Sequence, residues 1–312
     1  LVSPLLAPFR AQLLQDSGAS WYYWKLPKPE RWASISMWVL YLAHQITVWV
    51  LIAKLKNDDR PEAGRIGPYN LRLLIANAVF IALHLVQTAL FYDALAQFVP
   101  VMSSQGSVIV MLVMMLILLN NRRGLFFGKR VTLPPLGVAA TQTVHGFYIA
   151  SAVVYTFWFH PMEGTLGHLL GCLYLFLLMG QMSLARTSWH TKIGWLTFLE
   201  AFVALHGAVV AIHAANGMWP MFFFGFMMMF ILTQVFGILK NRIAIAGVFA
   251  GYLALVLTTY SGALGSFLSG TPVGWADIHQ ITWIPVILYG LVFVLAWVFA
   301  GVSALIQKAK KS

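Results

Sequence analysis

The chain has 312 residues, of which 60% are hydrophobic and only 9% charged, and it carries a formal net charge of +11. A soluble domain has roughly 25% charged residues, so this composition excludes a water-soluble globular protein. The basic residues form no stripe with interleaved stacking aromatics, which argues against a nucleic-acid partner; the single cysteine, Cys172, excludes an internal disulfide, a cysteine-ligated zinc and an iron–sulfur cluster.

Residues 1–31 read as a segment outside the bilayer. Leu5, Leu6, Phe9, Leu13 and Leu14 recur at helical spacing with Arg10, Gln12, Gln15 and Asp16 between them, which predicts a short interfacial amphipathic helix on the outer face. Trp21, Tyr22, Tyr23 and Trp24 follow as an aromatic belt at the water boundary.

Nine apolar runs come next, at 32–53, 73–92, 101–119, 136–159, 166–184, 193–214, 220–239, 243–264 and 281–305. Each covers a hydrocarbon core of about 30 Å at about 1.5 Å per residue. Backbone groups in lipid must bond within their own segment, so these runs are helices, and no ten-residue alternation suggests a barrel. The expectation is an all-α polytopic bundle of nine spans over 32–305, with a basic tail at 306–312. Gly247 and Gly251 form a GxxxG pair, a signature of close helix approach. The glycine-rich stretch 262–282 reads as a surface or re-entrant loop.

Sixteen of the 20 basic residues fall in alternate gaps or in the tail: Lys54, Lys56, Arg60, Arg65 and Arg72; Arg122, Arg123, Lys129 and Arg130; Arg186 and Lys192; Lys240 and Arg242; Lys308, Lys310 and Lys311. The other gaps contain none. By the positive-inside rule the carboxyl end is cytoplasmic and the amino end outside. This predicts a multi-pass integral protein of a bacterial inner membrane or its equivalent. The basic, aromatic loop 120–130 suits anionic headgroups or a partner subunit.

Four histidines fall near mid-membrane on separate helices: His44, His84, His145 and His206. Ionisable groups at that depth are costly and point to function. Imidazoles from neighbouring helices can clamp a haem iron from both faces, so b-type haem is the expected cofactor. His145 and His160 lie about 22 Å apart along one helix on nearby faces, a spacing that suits two stacked haems. His206 and His213 share a face two turns apart. Neutral histidines can also simply hydrogen-bond one helix to the next.

The loop HPMEGTLGH brings His160, Glu163 and His168 to the outer side, where His213, Asp93, Asp277 and His279 also belong. Such a set could hold zinc, copper or non-haem iron, bind a substrate or pass protons; it could also be a solvated loop. Glu200 is the only acid deep within a span and reads as a proton-relay or quinone-site group. The Met111–Met115 and Met227–Met229 clusters read as gap fillers rather than copper ligands. No GxxxxGK[ST], GxGxxG, GxSxG or HExxH motif is present.

The leading expectation is a redox subunit that holds haem on its helix histidines and exchanges electrons with quinone or an outer-face partner, alongside other membrane subunits. A non-catalytic scaffold of a larger, possibly pigment-binding complex, a proton-coupled transporter and a metal-dependent membrane enzyme are the alternatives.

Overall fold

A computed structural model describes residues 3–13, 25–57, 65–213, 217–262, 264 and 273–310. Among them there is no strand, and nine helices reach 18 residues: α1 Arg31–Lys56, α2 Pro68–Phe91, α3 Val101–Arg123, α4 Pro135–Phe159, α5 Leu166–Ser183, α6 Ile193–His213, α7 Trp219–Ile238, α8 Arg242–Tyr260 and α9 Trp283–Ala309. Eight are long and apolar enough to cross a membrane. The other, α4, has 25 residues, but Thr141, Gln142, Thr143 and His145 dilute its apolar run. Helices outrun the predicted apolar stretches at their basic ends, as at Lys54, Lys56, Arg122 and Arg123. Hydropathy marks where apolar side chains stop, whereas backbone hydrogen bonding continues while Lys and Arg heads reach for water.

The chain forms two compact units. The first comprises residues 1–108 and 146–195; the second, 109–145 and 196–312. In the first unit α1 lies along α2, and α2 packs against α5. Its helices are inside-out relative to a soluble bundle. On α2, Leu74, Val79, Val86 and Leu90 are exposed, whereas Asn70, Asn77, His84 and Gln87 are buried. Lipid accepts the apolar face and turns the polar one inward. Asn70, Asn77 and His84 recur every seven residues and so form one buried polar stripe, about 21 Å long.

The amino-terminal segment is a 3-10 turn, Ser3–Leu6, and one helical turn, Ala7–Arg10. It packs down rather than lying free: Leu6 is buried against Tyr92, with Phe9, Leu13 and Leu26 beside them. The expected Leu14, Gln15 and Asp16 and the belt Trp21–Trp24 lie outside the described residues, as do Arg60, Lys311 and residues 263 and 265–272 of the 262–282 loop. Trp275–Thr282 forms a 3-10 stretch that feeds α9.

The core of the second unit gathers Val113, Leu116, Ile117, Leu125, Met229, Leu288, Val292 and Ala296. The methionine clusters act as the filler expected of them, with Met114 and Met229 buried. The close helix approach is not at the GxxxG pair: Gly247 and Gly251 have nothing within 4 Å of a built Cβ. It falls at Gly137, where an added Cβ would stand 2.0 Å from the Ala296 carbonyl oxygen. The small-residue signature marks where a neighbour can approach, not where one does. Gly137→Ala is therefore expected to destabilise the detergent-solubilised protein by about 1–3 kcal/mol, and Gly247→Ala by under about 0.5 kcal/mol. Thermal or denaturant unfolding checks the contrast.

Candidate functional site

In the first unit the buried stripe of α2 carries His84 and meets a second histidine from α1 at Asn77. His44, from α1, stacks on Phe80 of α2 at 4.4 Å between ring centroids. Both of its ring nitrogens are engaged. Nδ1 accepts from the Trp158 indole N–H at 3.1 Å, so Nε2 carries the proton and donates to Asn77 Oδ1 at 3.0 Å. Asn77 passes the chain of bonds to Ser183 Oγ, which donates to the Met179 carbonyl. Asn70 Nδ2 donates to the Ser183 and Ala185 carbonyls at the end of α5, groups that a helix terminus leaves unsatisfied.

His84 sits against the other side of the same indole, 4.3 Å from the Trp158 ring and 4.9 Å from Phe157. Its Nε2–H donates to the His160 carbonyl at 2.8 Å. That carbonyl is open because α4 ends at Phe159 and Pro161 follows. Its Nδ1 is then a bare lone pair. It is buried without a hydrogen bond, and the Gln87 amide comes near it one turn on, likewise unbonded. Of the two mid-membrane histidines in this unit, His84 alone offers a nitrogen to a proton or a metal. A haem clamped between His44 and His84 would first have to displace Trp158 and break the bond to Asn77. His145 and His206 belong to the second unit. His145 Nδ1 bonds the Gln142 carbonyl of its own helix at 2.8 Å.

The 160–168 loop is built around Glu163, which is buried and receives four donors. Arg10 contacts it through both Nε and Nη2, the Tyr92 hydroxyl donates at 3.1 Å and the Gly164 N–H at 2.6 Å. Burial alone would raise this carboxyl; the Arg10 guanidinium, the Gly164 amide and Tyr92 together outweigh it and hold its pKa below the usual value. His168 Nδ1 bonds Thr165 Oγ1 at 2.7 Å, and the His160 and His168 rings lie 6.3 Å apart. His160 Nδ1 donates to the Thr156 carbonyl; burial lowers its pKa despite that bond. Asp277 and His279 make local turn contacts in the second unit. The side chain of His213 lies outside the described residues. Among those described, no three His, Cys, Asp or Glu side chains are gathered for a metal ion. Glu163 serves here to tie the amino-terminal segment to the 160–168 loop.

Asp93 is buried beside this clamp, just past α2. One oxygen accepts from the Ala94 N–H, the other has no bond, and burial pushes its pKa up to about 7.

The second unit holds a cluster that the sequence only half disclosed. Glu200 Oε1 is buried without a hydrogen bond, and so are Thr197 Oγ1, Arg123 Nη1 and both amide atoms of Gln234. Arg123 and Glu200 act on each other electrostatically without forming an ion pair. Gln234 lies in a π-helical turn, Ile231–Val235, within α7. Leaving one such group unbonded costs about 1–3 kcal/mol, so several together mark a place where something other than stability is selected. Spans carrying Gln87 and Gln234, amides with no nearby charge, were the signal available in the sequence.

The chain matches no protein-family model, no curated protein and no solved structure.

Two predictions follow from the first unit. His44→Leu strands the Trp158 N–H and Asn77 Oδ1 in an apolar interior, so it is expected to cost about 1–3 kcal/mol. Adding Asn77→Leu should cost less than the sum of the single changes in a double-mutant unfolding cycle. Glu163 and Asp93 give opposite pH dependences. Glu163, with its lowered pKa, contributes stability above about pH 4.5 that is lost as pH falls through its folded value. Asp93, raised from 3.8 to about 7, contributes fully below 3.8 and loses that contribution as pH rises through 7. In melting curves against pH, Glu163→Gln should remove the acid-side loss and Asp93→Asn should raise stability relative to the parent above pH 7.

Proposed function

We propose that the chain is a nine-span integral membrane protein, amino end outside and carboxyl end cytoplasmic, that serves as a proton-coupled redox subunit. It exchanges electrons with membrane quinone or with an outer-face partner, next to other membrane subunits, in a bacterial inner membrane or its equivalent. The observation that carries this reading is His84: a fully buried imidazole within α2 with one nitrogen pinned by the His160 carbonyl and the other left to the Gln87 amide. Such a group keeps a lone pair for a metal ion or a proton in an apolar interior, where ionisable side chains are costly and point to function. Glu200 supports the reading as a second titratable group retained inside an apolar helix. Haem enters it only through a histidine with an open nitrogen, which favours His84 over His44.

The bonded network of His44, Asn77, Ser183 and Trp158 favours a second reading, an accessory subunit whose polar residues only fasten helices. Purified protein in lipid nanodiscs separates the two. The redox reading expects oxidation of a short-chain quinol with a soluble acceptor, reduced at least tenfold by His84→Gln in protein that keeps its melting temperature. A Soret band lost in His84→Leu but retained in His44→Leu would assign haem to His84; turnover without such a band would leave His84 the proton role alone. Absence of quinol turnover would overturn the redox reading and leave the accessory one.

A further inference from the structure

We propose that Arg123, Thr197, Glu200 and Gln234 form the head-group site of a neutral, lipid-soluble ligand of the quinone–quinol class. The proposal deepens the redox reading above and rests on it for the ligand's identity. The site itself rests on the geometry of the second unit.

The four residues come from the end of α3, the first half of α6 and the π turn of α7, and all belong to one unit. Their neighbourhood is fixed by three observations. An added Cβ at Gly237 would touch Arg123 Cδ at 3.0 Å, so the Arg123 side chain lies along α7 one turn beyond Gln234. The Arg123 guanidinium is within electrostatic reach of Glu200. Thr197 and Glu200 are one turn apart on α6, where i and i+3 side chains share a face.

Five polar atoms of this set are buried with no hydrogen bond: Arg123 Nη1, Thr197 Oγ1, Glu200 Oε1, Gln234 Nε2 and Gln234 Oε1. Gln234 is almost wholly buried, at 1% exposure, and its flanking residues Ile231, Leu232, Thr233 and Val235 are buried too. A π turn inserts one residue into a helix and is kept mostly at functional positions, because it re-aims a side chain at the expense of regular bonding. Here the cost is partly offset: the Leu232 carbonyl in the turn receives the Phe127 N–H at 3.1 Å. The loop after α3 thus braces the turn that carries Gln234.

Charge narrows the occupant. A phosphate or carboxylate would be drawn to Arg123 and repelled by Glu200; a cation meets the reverse. A neutral group with oxygen acceptors and hydroxyl donors satisfies both. Quinone oxygens accept from Arg123 and Gln234, and quinol hydroxyls donate to Glu200 or Gln234. Leu196 and Leu199 are buried on the same turns of α6, and Met229 and Val235 on α7, so a hydrophobic ring and tail suit the surroundings. The residues lie toward the helix ends that meet the basic gaps 120–130 and 240–242, which would set the head group below the cytoplasmic headgroup layer.

Binding of a short-chain ubiquinone analogue and of its quinol to the purified full chain in nanodiscs tests this, with an azido-quinone photolabel as a second readout. Saturable binding of about one equivalent is expected, with the photolabel recovered on α6 or α7. Arg123→Gln and Gln234→Leu should each weaken binding at least tenfold at unchanged melting temperature. Glu200→Gln should weaken the quinol more than the quinone. An alkylbenzene of matched size, lacking the oxygens, should not compete. Non-saturable binding, labelling confined to the first unit, or affinity unchanged in Arg123→Gln/Gln234→Leu protein that melts normally would overturn the site. Binding here without quinol turnover would instead overturn the redox reading and leave the site standing.

Discussion

Polar groups in this chain have nowhere to go but inward, and the structure follows from that constraint. In water a helix hides its apolar face; here Leu, Val and Ile occupy the exposed surface of α2, and Asn70, Asn77, His84 and Gln87 occupy the buried one. Hydrocarbon offers no hydrogen bonds, so each retained amide or imidazole must find a partner on another helix or remain unbonded at a cost. The hydrophobic effect does not hold such helices to one another. Close packing, as at Gly137 against Ala296, and interhelical bonds take its place.

The two units meet the constraint differently. In the first, Asn70, His44 and Glu163 are paired, whereas His84 Nδ1, the Gln87 amide and one oxygen of Asp93 are not. Asn70 caps the end of α5, His44 is fastened to Asn77 and Trp158, and His84 caps α4. These bonds tie α1 to α2 and α4, and α2 to α5 and the end of α4. A buried carboxylate with four donors, Glu163, ties residues near the amino end to the 160–168 loop. In the second unit Arg123 is within electrostatic reach of Glu200, and buried polar atoms of Arg123, Thr197, Glu200 and Gln234 have no hydrogen bond. A fully satisfied network rigidifies; an unsatisfied one is open to a ligand.

The helical class and the positions of the helices were legible because length and hydropathy record lipid directly. Helix ends were less so, since Lys and Arg extend a helix beyond its apolar run. Glu200 was legible as a lone acid in an apolar helix. Its partner Arg123 was not, because a residue at the edge of a basic loop looks cytoplasmic until its side chain is seen to lie along α7. Glu163 read as a metal ligand because spacing shows which groups share a loop; it cannot show that Arg10, 153 residues away, has already taken the carboxylate. Likewise the four mid-membrane histidines look alike in sequence. Only the bonds to Trp158 and Asn77 distinguish His44, a fastener, from His84, whose second nitrogen is open.

The central claim is that lipid is the solvent of the outward faces and that the polar stripe of α2 is shielded from both lipid and water. Spin labels on single cysteines along α2, in a background with Cys172 replaced and reconstituted in vesicles, test it most directly. Labels at Leu74, Val79, Val86 and Leu90 should be reached by oxygen but not by a water-soluble nickel chelate, and labels at Asn77 and His84 by neither. Nickel reaching the leucine and valine positions, or accessibility that fails to repeat every 3.6 residues, would contradict the account.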